Sequence, residues 1–155
     1  YMAFARDDAD EPTAATNIAT LLVEVAENAS RVGHDVSQDF TGDPIVSIRP
    51  NDFKRCLSNL VMNACRHGDR IELHGSHVDG WLVIHVDDDG PGIEEAEREA
   101  VFRPFYRLDE ARNLDESGTG LGLPIARDIA RFHGGDVTLS DAPGGGLRAT
   151  VRIPA

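Results

Sequence analysis

Three short runs gather the residues best able to do chemistry. The first is NLVMNACRHG, Asn59 to Gly68. Asn59 and Asn63 stand four apart and Arg66 three further on, so a helix stacks all three on one side. An amide oxygen is a neutral, hard ligand suited to Mg²⁺, which also takes substrate phosphates. A guanidinium beside it offers a fork of donors to phosphate. Taken alone, the same strip also reads as a solvated flank beside an apolar stripe.

The second run is WLVIHVDDDGPGI, Trp81 to Ile93. Strand alternation puts Leu82, Ile84, Val86 and Asp88 on one face and leaves Asp87 and Asp89 pointing out. A carboxylate carried to the apolar side needs a partner, and a purine amino group would be one. Gly90 and Gly92 would let the backbone approach a ring. Asp-Gly and Pro-Gly are also ordinary turn dipeptides, so an acidic turn stays open as a reading. The third run is SGTGLGLPIARDIARFHGG, where Gly118, Gly120 and Gly122 stand just ahead of a helical pattern. Glycine there costs roughly 1 kcal/mol against alanine. Free N–H groups at a helix start bind anions, and glycine clears their approach. The run lacks the lysine of GxxxxGK[ST], and its GxGxG spacing is not the GxGxxG of dinucleotide folds.

The elements that must position these runs follow from periodicity. Thr16 or Asn17 caps a helix with Leu21, Leu22, Val25 and Ala29 on one face and Gly33 past its end. HDVSQDF and PIVSIRP are strands split by Thr41-Gly42-Asp43-Pro44. Asn51 or Asp52 caps a stronger helix, striped by Phe53, Leu57, Leu60, Val61 and Ala64 and ended by Gly68. RIELHGSHV and WLVIHVDDD are strands about a turn at Asp79-Gly80. Ile93 to Phe102 is expected as a short helix, and the stretch from about Arg103 to Gly120 as a long loop. A helix then runs to Phe132, and DVTLS and GLRATVRIP close as strands. The whole predicts an α+β two-layer sandwich.

Composition narrows the function. The chain has 155 residues, 41% of them hydrophobic, which suits one domain with a core. A formal net charge of −12 argues against a nucleic-acid backbone or an anionic membrane as the main partner. Cys56 and Cys65 would lie roughly 13 Å apart along a helix, too far for a disulfide. Free thiols fit a reducing compartment. No apolar run approaches the ~20 residues of a membrane span.

The order and spacing of the runs resemble the catalytic ATP-binding domain of bacterial sensor histidine kinases, in the GHKL superfamily. The N box looks like Asn59–Gly68, the first glycine box like Asp88-Asp89-Gly90-Pro91-Gly92, the F box like Phe102-Arg103-Pro104-Phe105, and the second glycine box like Gly118–Leu123. The resemblance spans roughly residues 16 to 154 and is similar in detail to the EnvZ-type osmosensor branch. It implies the Bergerat fold: about five mostly antiparallel strands in a mixed sheet packed on three helices, with a mobile ATP lid. Residues 1–11 would be the tail of a dimerisation-domain helix and its linker, and 12–155 the catalytic domain.

The resemblance also assigns roles. Asn63 would hold Mg²⁺, with Asn59 lining the same site and Arg66 and His67 facing phosphate. Asp88 would take the adenine amino group, with Gly90, Gly92, Ile93 and Thr119 nearby. Gly118, Gly120 and Gly122, with Leu121 and Leu123 between and after them, would wrap the phosphates. Residues 103–117 would form the lid, anchored by Phe102 and Phe105, with Arg107 and Arg112 reaching the γ-phosphate.

In ATP-hydrolysing relatives a Glu, one turn before the metal-binding Asn, activates water. Here that position is Asn59, and an amide takes no proton from water at neutral pH. Asn59, Asn63 and Arg66 are therefore the expected catalytic set for phosphoryl transfer, which needs mainly positioning and charge neutralisation. The family's acceptor is a histidine in a context like His-Glu-x-x-x-Pro, which none of His34, His67, His74, His77, His85 and His133 has. The acceptor is expected upstream of Tyr1, on the dimerisation domain of the same kinase. From there phosphate would pass to the aspartate of an OmpR-like response regulator. The implied setting is cytoplasmic, within an inner-membrane sensor that dimerises at full length while this domain is a monomer. Two alternatives stay open: a serine kinase of the anti-sigma type, and a domain that binds nucleotide without transferring phosphate.

Overall fold

A computed structural model describes residues 11–103 and 122–155. Seven strands and three helices fill them. Strand β1 (Ala14–Asn17) leads directly into α1 (Ile18–Arg31), capped by Asn17, whose Oδ1 accepts the Thr20 N–H at 3.0 Å. Of the two expected caps, Asn17 is the one used. β2 (Asp35–Gly42) and β3 (Ile45–Ile48) follow, then α2 (Pro50–His67), β4 (Arg70–Val78) and β5 (Trp81–Asp87). After the residues left undescribed come α3 (Gly122–Phe132), β6 (Asp136–Asp141) and β7 (Leu147–Pro154).

The main sheet has the order β2-β4-β5-β7-β6, with β2 and β4 parallel and every other pair antiparallel. The three helices pack against it and one another. The expected mixed, mostly antiparallel five-stranded sheet on three helices is therefore what the chain forms. Apolar residues at every second strand position meet the helices' stripes in one core: Ile71, Leu73, Leu82, Ile84, Val151 and Ile153 against Leu22, Phe53, Leu57 and Leu60. Cys56 is sealed in this core, where burial pushes its thiol up to about 12. It is therefore inert packing at neutral pH.

Four expectations change. β1 was not read from the sequence, because four residues carry too little alternation to register. β3 does not join the main sheet with β2 but pairs with β1 in a two-stranded sheet, so the Gly42–Pro44 turn moves the chain from one sheet to another. Neither Asn51 nor Asp52 caps α2. Its N-cap is Arg49, with Pro50 at the first helical position, and the Glu11 carboxylate reaches across to accept the N–H groups of Asn51 (2.9 Å) and Asp52 (3.0 Å). Finally, residues 93–102 make two 3₁₀ turns, Glu95–Glu97 and Ala100–Phe102, in place of one helix. A side-chain bond holds the first open: Arg98 Nε donates to the Ile93 carbonyl at 3.0 Å.

Candidate functional site

Asp88 is the residue around which the site is organised. It follows the last residue of β5 and is 5% exposed. Its Oδ1 accepts two backbone N–H groups, from Gly90 at 2.9 Å and from Leu147 at 3.1 Å. The Asp88 N–H in turn donates to the Leu147 carbonyl at 3.0 Å. The buried carboxylate is thus held by neutral dipoles. Among the described residues no hydrogen bond reaches Oδ2, which leaves that oxygen as an acceptor for a ligand donor.

Two glycines let the backbone close around it. A Cβ on Gly90 would stand 2.1 Å from the His67 carbonyl oxygen, so the Asp88–Gly90 turn lies directly on the C-terminal end of α2. A Cβ on Gly146 would stand 2.1 Å from the Asp88 carbonyl oxygen, and its φ of +92° already favours glycine. Gly92 likewise has a positive φ, +77°. A Cβ on Gly122 would meet nothing within 4 Å among the described residues, so no packing against them calls for glycine there.

The end of α2 that touches this turn is the end that carries the polar run. At about 100° per residue, Asn59, Asn63 and Arg66 fall on one flank of the buried stripe. Asn59 and Asn63 are half-buried, Arg66 is exposed and His67 half-buried. Arg66 and His67 also occupy the last turn, where cations complement the helix dipole. The structure therefore brings the α2 terminus, Asp88 and Gly90 together, with Gly92 beside Gly146 and Ile93 packed on the core. Leu123 is buried in the core near the start of α3. Phe105, Arg107, Arg112, Gly118, Thr119, Gly120 and Leu121, with the expected lid, lie outside the described residues.

Asp87 and Asp89 were both expected to point out. Asp89 does, yet its Oδ1 accepts the N–H groups of Asp69 (2.7 Å) and Arg70 (3.0 Å), and these bonds hold its carboxyl below the usual range. Asp87 is only 7% exposed, because Arg148 stands directly opposite on β7 and grips it with two 2.8 Å bonds. That pairing raises the Arg148 pKa. The sequence reading also missed Gly146 and Leu147. The signal was available in register: once Asp87 faces Arg148, Leu147 must lie beside Asp88.

A further anchor flanks the region. Arg127 of α3 is buried over the Phe102 ring at 3.9 Å, and it donates to Glu99 at 2.5 Å and to Asp136 at 2.8 Å. It fastens the second 3₁₀ turn and the start of β6 to α3. His85 lies within 2.9 Å of Thr150 Oγ1, and His133 within 2.8 Å of the Ile129 carbonyl.

Residues 48–155 match the family described as histidine kinase-, DNA gyrase B-, and HSP90-like ATPase. Over 136 residues the chain is 39% identical to the sensor histidine kinase CpxA of Escherichia coli K12, covering 86% of this chain and 30% of that protein. The chain thus spans between about a fifth and a third of the length of the curated relatives it matches. Among solved structures, the ATP-binding domain of PrrB from Mycobacterium tuberculosis superposes with a TM-score of 0.74 at 28% identity, over 93% of this chain and 98% of that one. The histidine kinase domain of the E. coli osmosensor EnvZ superposes with a TM-score of 0.68 at 33% identity, over 94% and 89% of the two chains.

Proposed function

The chain belongs to the histidine kinase-, DNA gyrase B-, and HSP90-like ATPase family, and from that premise we propose that it is the catalytic domain of a sensor kinase that binds Mg-ATP and phosphorylates a histidine outside this chain. One observation supports this reading most: the amide-bearing end of α2 abuts a turn whose buried carboxylate has neutral donors on one oxygen. In this reading Oδ2 of Asp88 accepts the amino group of adenine. Asn63 supplies an oxygen to Mg²⁺, Asn59 lines the same site, and Arg66 and His67 face phosphate. The donor set fits the ion, since Mg²⁺ prefers oxygen ligands and keeps several waters. Gly118, Thr119, Gly120, Leu121 and Gly122 would follow the phosphates, and Arg107 and Arg112 would neutralise the γ-phosphate.

Transfer breaks the bond from the γ-phosphorus to its bridging oxygen while a phosphorus–nitrogen bond forms to the acceptor imidazole; ADP leaves with the electron pair. Asn59 stands where a water-activating carboxylate would favour hydrolysis, which disfavours water as the acceptor; the imidazole acceptor is what the family resemblance implies. The proposed partners are the dimerisation domain of the same kinase and an OmpR-like response regulator, within a membrane-anchored parent that works as a homodimer. Among the described residues, no helix is long and apolar enough to cross a membrane.

The test mixes this chain with Mg-ATP and a dimerisation domain carrying the acceptor histidine. Acid-labile phosphate on that histidine is the expected product. Acid-stable phosphoserine on a partner, or bound nucleotide with no transfer, overturns the reading in favour of one of its two rivals. Asn63→Ala should keep the fold and lose Mg²⁺-dependent ATP affinity by calorimetry; unchanged affinity removes Asn63 from the metal.

A further inference from the structure

The face of the sheet turned away from the helices carries a second polar cluster. Strand register assembles it. Glu72 and His74 are two apart on β4 and share that face; Asp87 on β5 stands directly opposite Glu72, and Asp39 on β2 opposite His74. The His74 Nε2 lies 3.2 Å from Glu72 Oε1 and 3.9 Å from Asp87 Oδ2, while its Nδ1 lies 2.8 Å from Asp39 Oδ2.

We propose that Glu72, His74 and Asp87 form a binding site for a divalent ion of the zinc class, with ligands other than the residues assigned to the nucleotide. Three observations carry this. One ligand atom from each residue lies within 4.8 Å of the other two. Two ligands about 2.0–2.1 Å from a tetrahedral ion sit roughly 3.3 Å apart, so the Nε2–Oε1 separation needs almost no adjustment. Next, the other ring nitrogen is already held by a carboxylate. This is the arrangement that fixes the tautomer of a metal-bound histidine and turns Nε2 toward the ion. Finally, the set opens on a pocket of about 450 Å³, lined also by Arg70, Asp88, Asp89, Arg148 and the 142–145 turn, which leaves space for water as the remaining ligand.

The charge is suitable as well. The carboxylates of Asp39, Glu72 and Asp87 against the one Arg148 guanidinium leave two negative charges for a divalent ion to neutralise. Arg70 is itself paired with Asp35, at 3.6 Å. An imidazole among carboxylates selects zinc, cobalt or nickel over magnesium, which prefers oxygen alone. Asp87 keeps its Arg148 bonds and offers the ion a remaining lone pair of Oδ2.

Calorimetric titration of the full chain with ZnCl₂, without nucleotide, tests this. One tight equivalent is expected, and Co²⁺ in its place should give visible absorption bands of a site with nitrogen and oxygen ligands. His74→Gln should abolish that equivalent, and Glu72→Gln, at an exposed position that the fold does not need, should weaken it at least tenfold. Asp39→Asn, acting through His74, should weaken it about 10- to 100-fold. His34→Gln should change nothing. Retention of stoichiometry and affinity in both His74→Gln and Glu72→Gln, or absence of a tight equivalent in the parent chain, overturns the proposal. Neither outcome bears on ATP binding, which is measured separately.

Discussion

On the helix-covered face of the sheet, β4, β5 and β7 present Ile71, Leu73, Leu82, Ile84, Val86, Ala149, Val151 and Ile153, all buried. On the opposite face the same strands present Glu72, His74, His85, Asp87, Arg148 and Thr150, tied by side-chain bonds within β4 and between strands. One backbone thus separates a surface whose interactions scale with area from one whose interactions depend on protonation and direction. Asp88 stands where the first pattern ends: it takes the next inward position after Val86, and the polar residue there is accommodated by backbone donors and not by a countercharge. Asp87, one residue earlier, has the reverse solution, a guanidinium across both of its oxygens. The backbone donors leave one oxygen of Asp88 without a hydrogen bond among the described residues, whereas the guanidinium bonds both oxygens of Asp87.

Substitutions can break this contrast. Ile84→Ala should cost about 2–5 kcal/mol in denaturant unfolding, because it opens a cavity under α2. Thr150→Ala, on the other face, should stay within about 0.5 kcal/mol. Comparable losses at both would mean that stability is shared between the faces. Asp88→Asn should cost about 10- to 100-fold in ATP affinity, with a shrinking preference for ATP over GTP, because an amide can turn a donor toward the adenine donor. Equal losses for both nucleotides would take the carboxylate away from the base. Arg148→Met should destabilise by about 1–3 kcal/mol, because Asp87 is left buried without its partner, and Asp87→Asn in the same chain should recover part of that loss.

The smallest effect sharpens the comparison within the outer face. Burial works against a charged His74, but the hydrogen bonds to Asp39 and Glu72 and the charges of Asp39 and Asp87 outweigh it and raise its pKa above 6.5. Its contribution is therefore full below that unfolded value and lost as pH rises through the folded one. His85, opposite it, is lowered by burial and then by Arg148, so the unfolded chain takes that proton first and stability falls on the acid side. His74→Gln and His85→Gln should shift the difference in Tm between about pH 5.5 and about pH 8 in opposite directions. With His74 36% exposed, its share is well under about 1 kcal/mol. Shifts of the same sign would show that the two rings do not titrate as their surroundings dictate.

Most of the fold was legible because its stripes are long. The 3.6-residue period of Phe53, Leu57, Leu60 and Ala64 and the alternation through Leu82, Ile84 and Val86 leave little freedom of assignment. The α2 cap was not legible, because its acceptor, Glu11, lies some forty residues away in the chain. The two 3₁₀ turns were misread because Glu94, Glu95 and Glu97 look like a helix start, and only Arg98 bonding back to Ile93 shows otherwise. At the site, Asn59, Asn63, Arg66 and Asp88 were visible as residue types at fixed spacing. Leu147 and Gly146 were not, since they contribute backbone, and backbone donors have no identity in a sequence.

The Glu11 carboxylate gives α2 a mechanical handle. It grips the first turn of a rod of 18 residues, about 27 Å long, whose far end carries Asn63 and Arg66. Those two bonds tie the segment at Glu11 to the start of the rod and supply acceptors for N–H groups that the helix itself cannot satisfy. Glu11→Ala would leave the Asn51 and Asp52 N–H groups without that acceptor and cost about 0.5–2 kcal/mol in unfolding, from a residue some forty positions away in the chain.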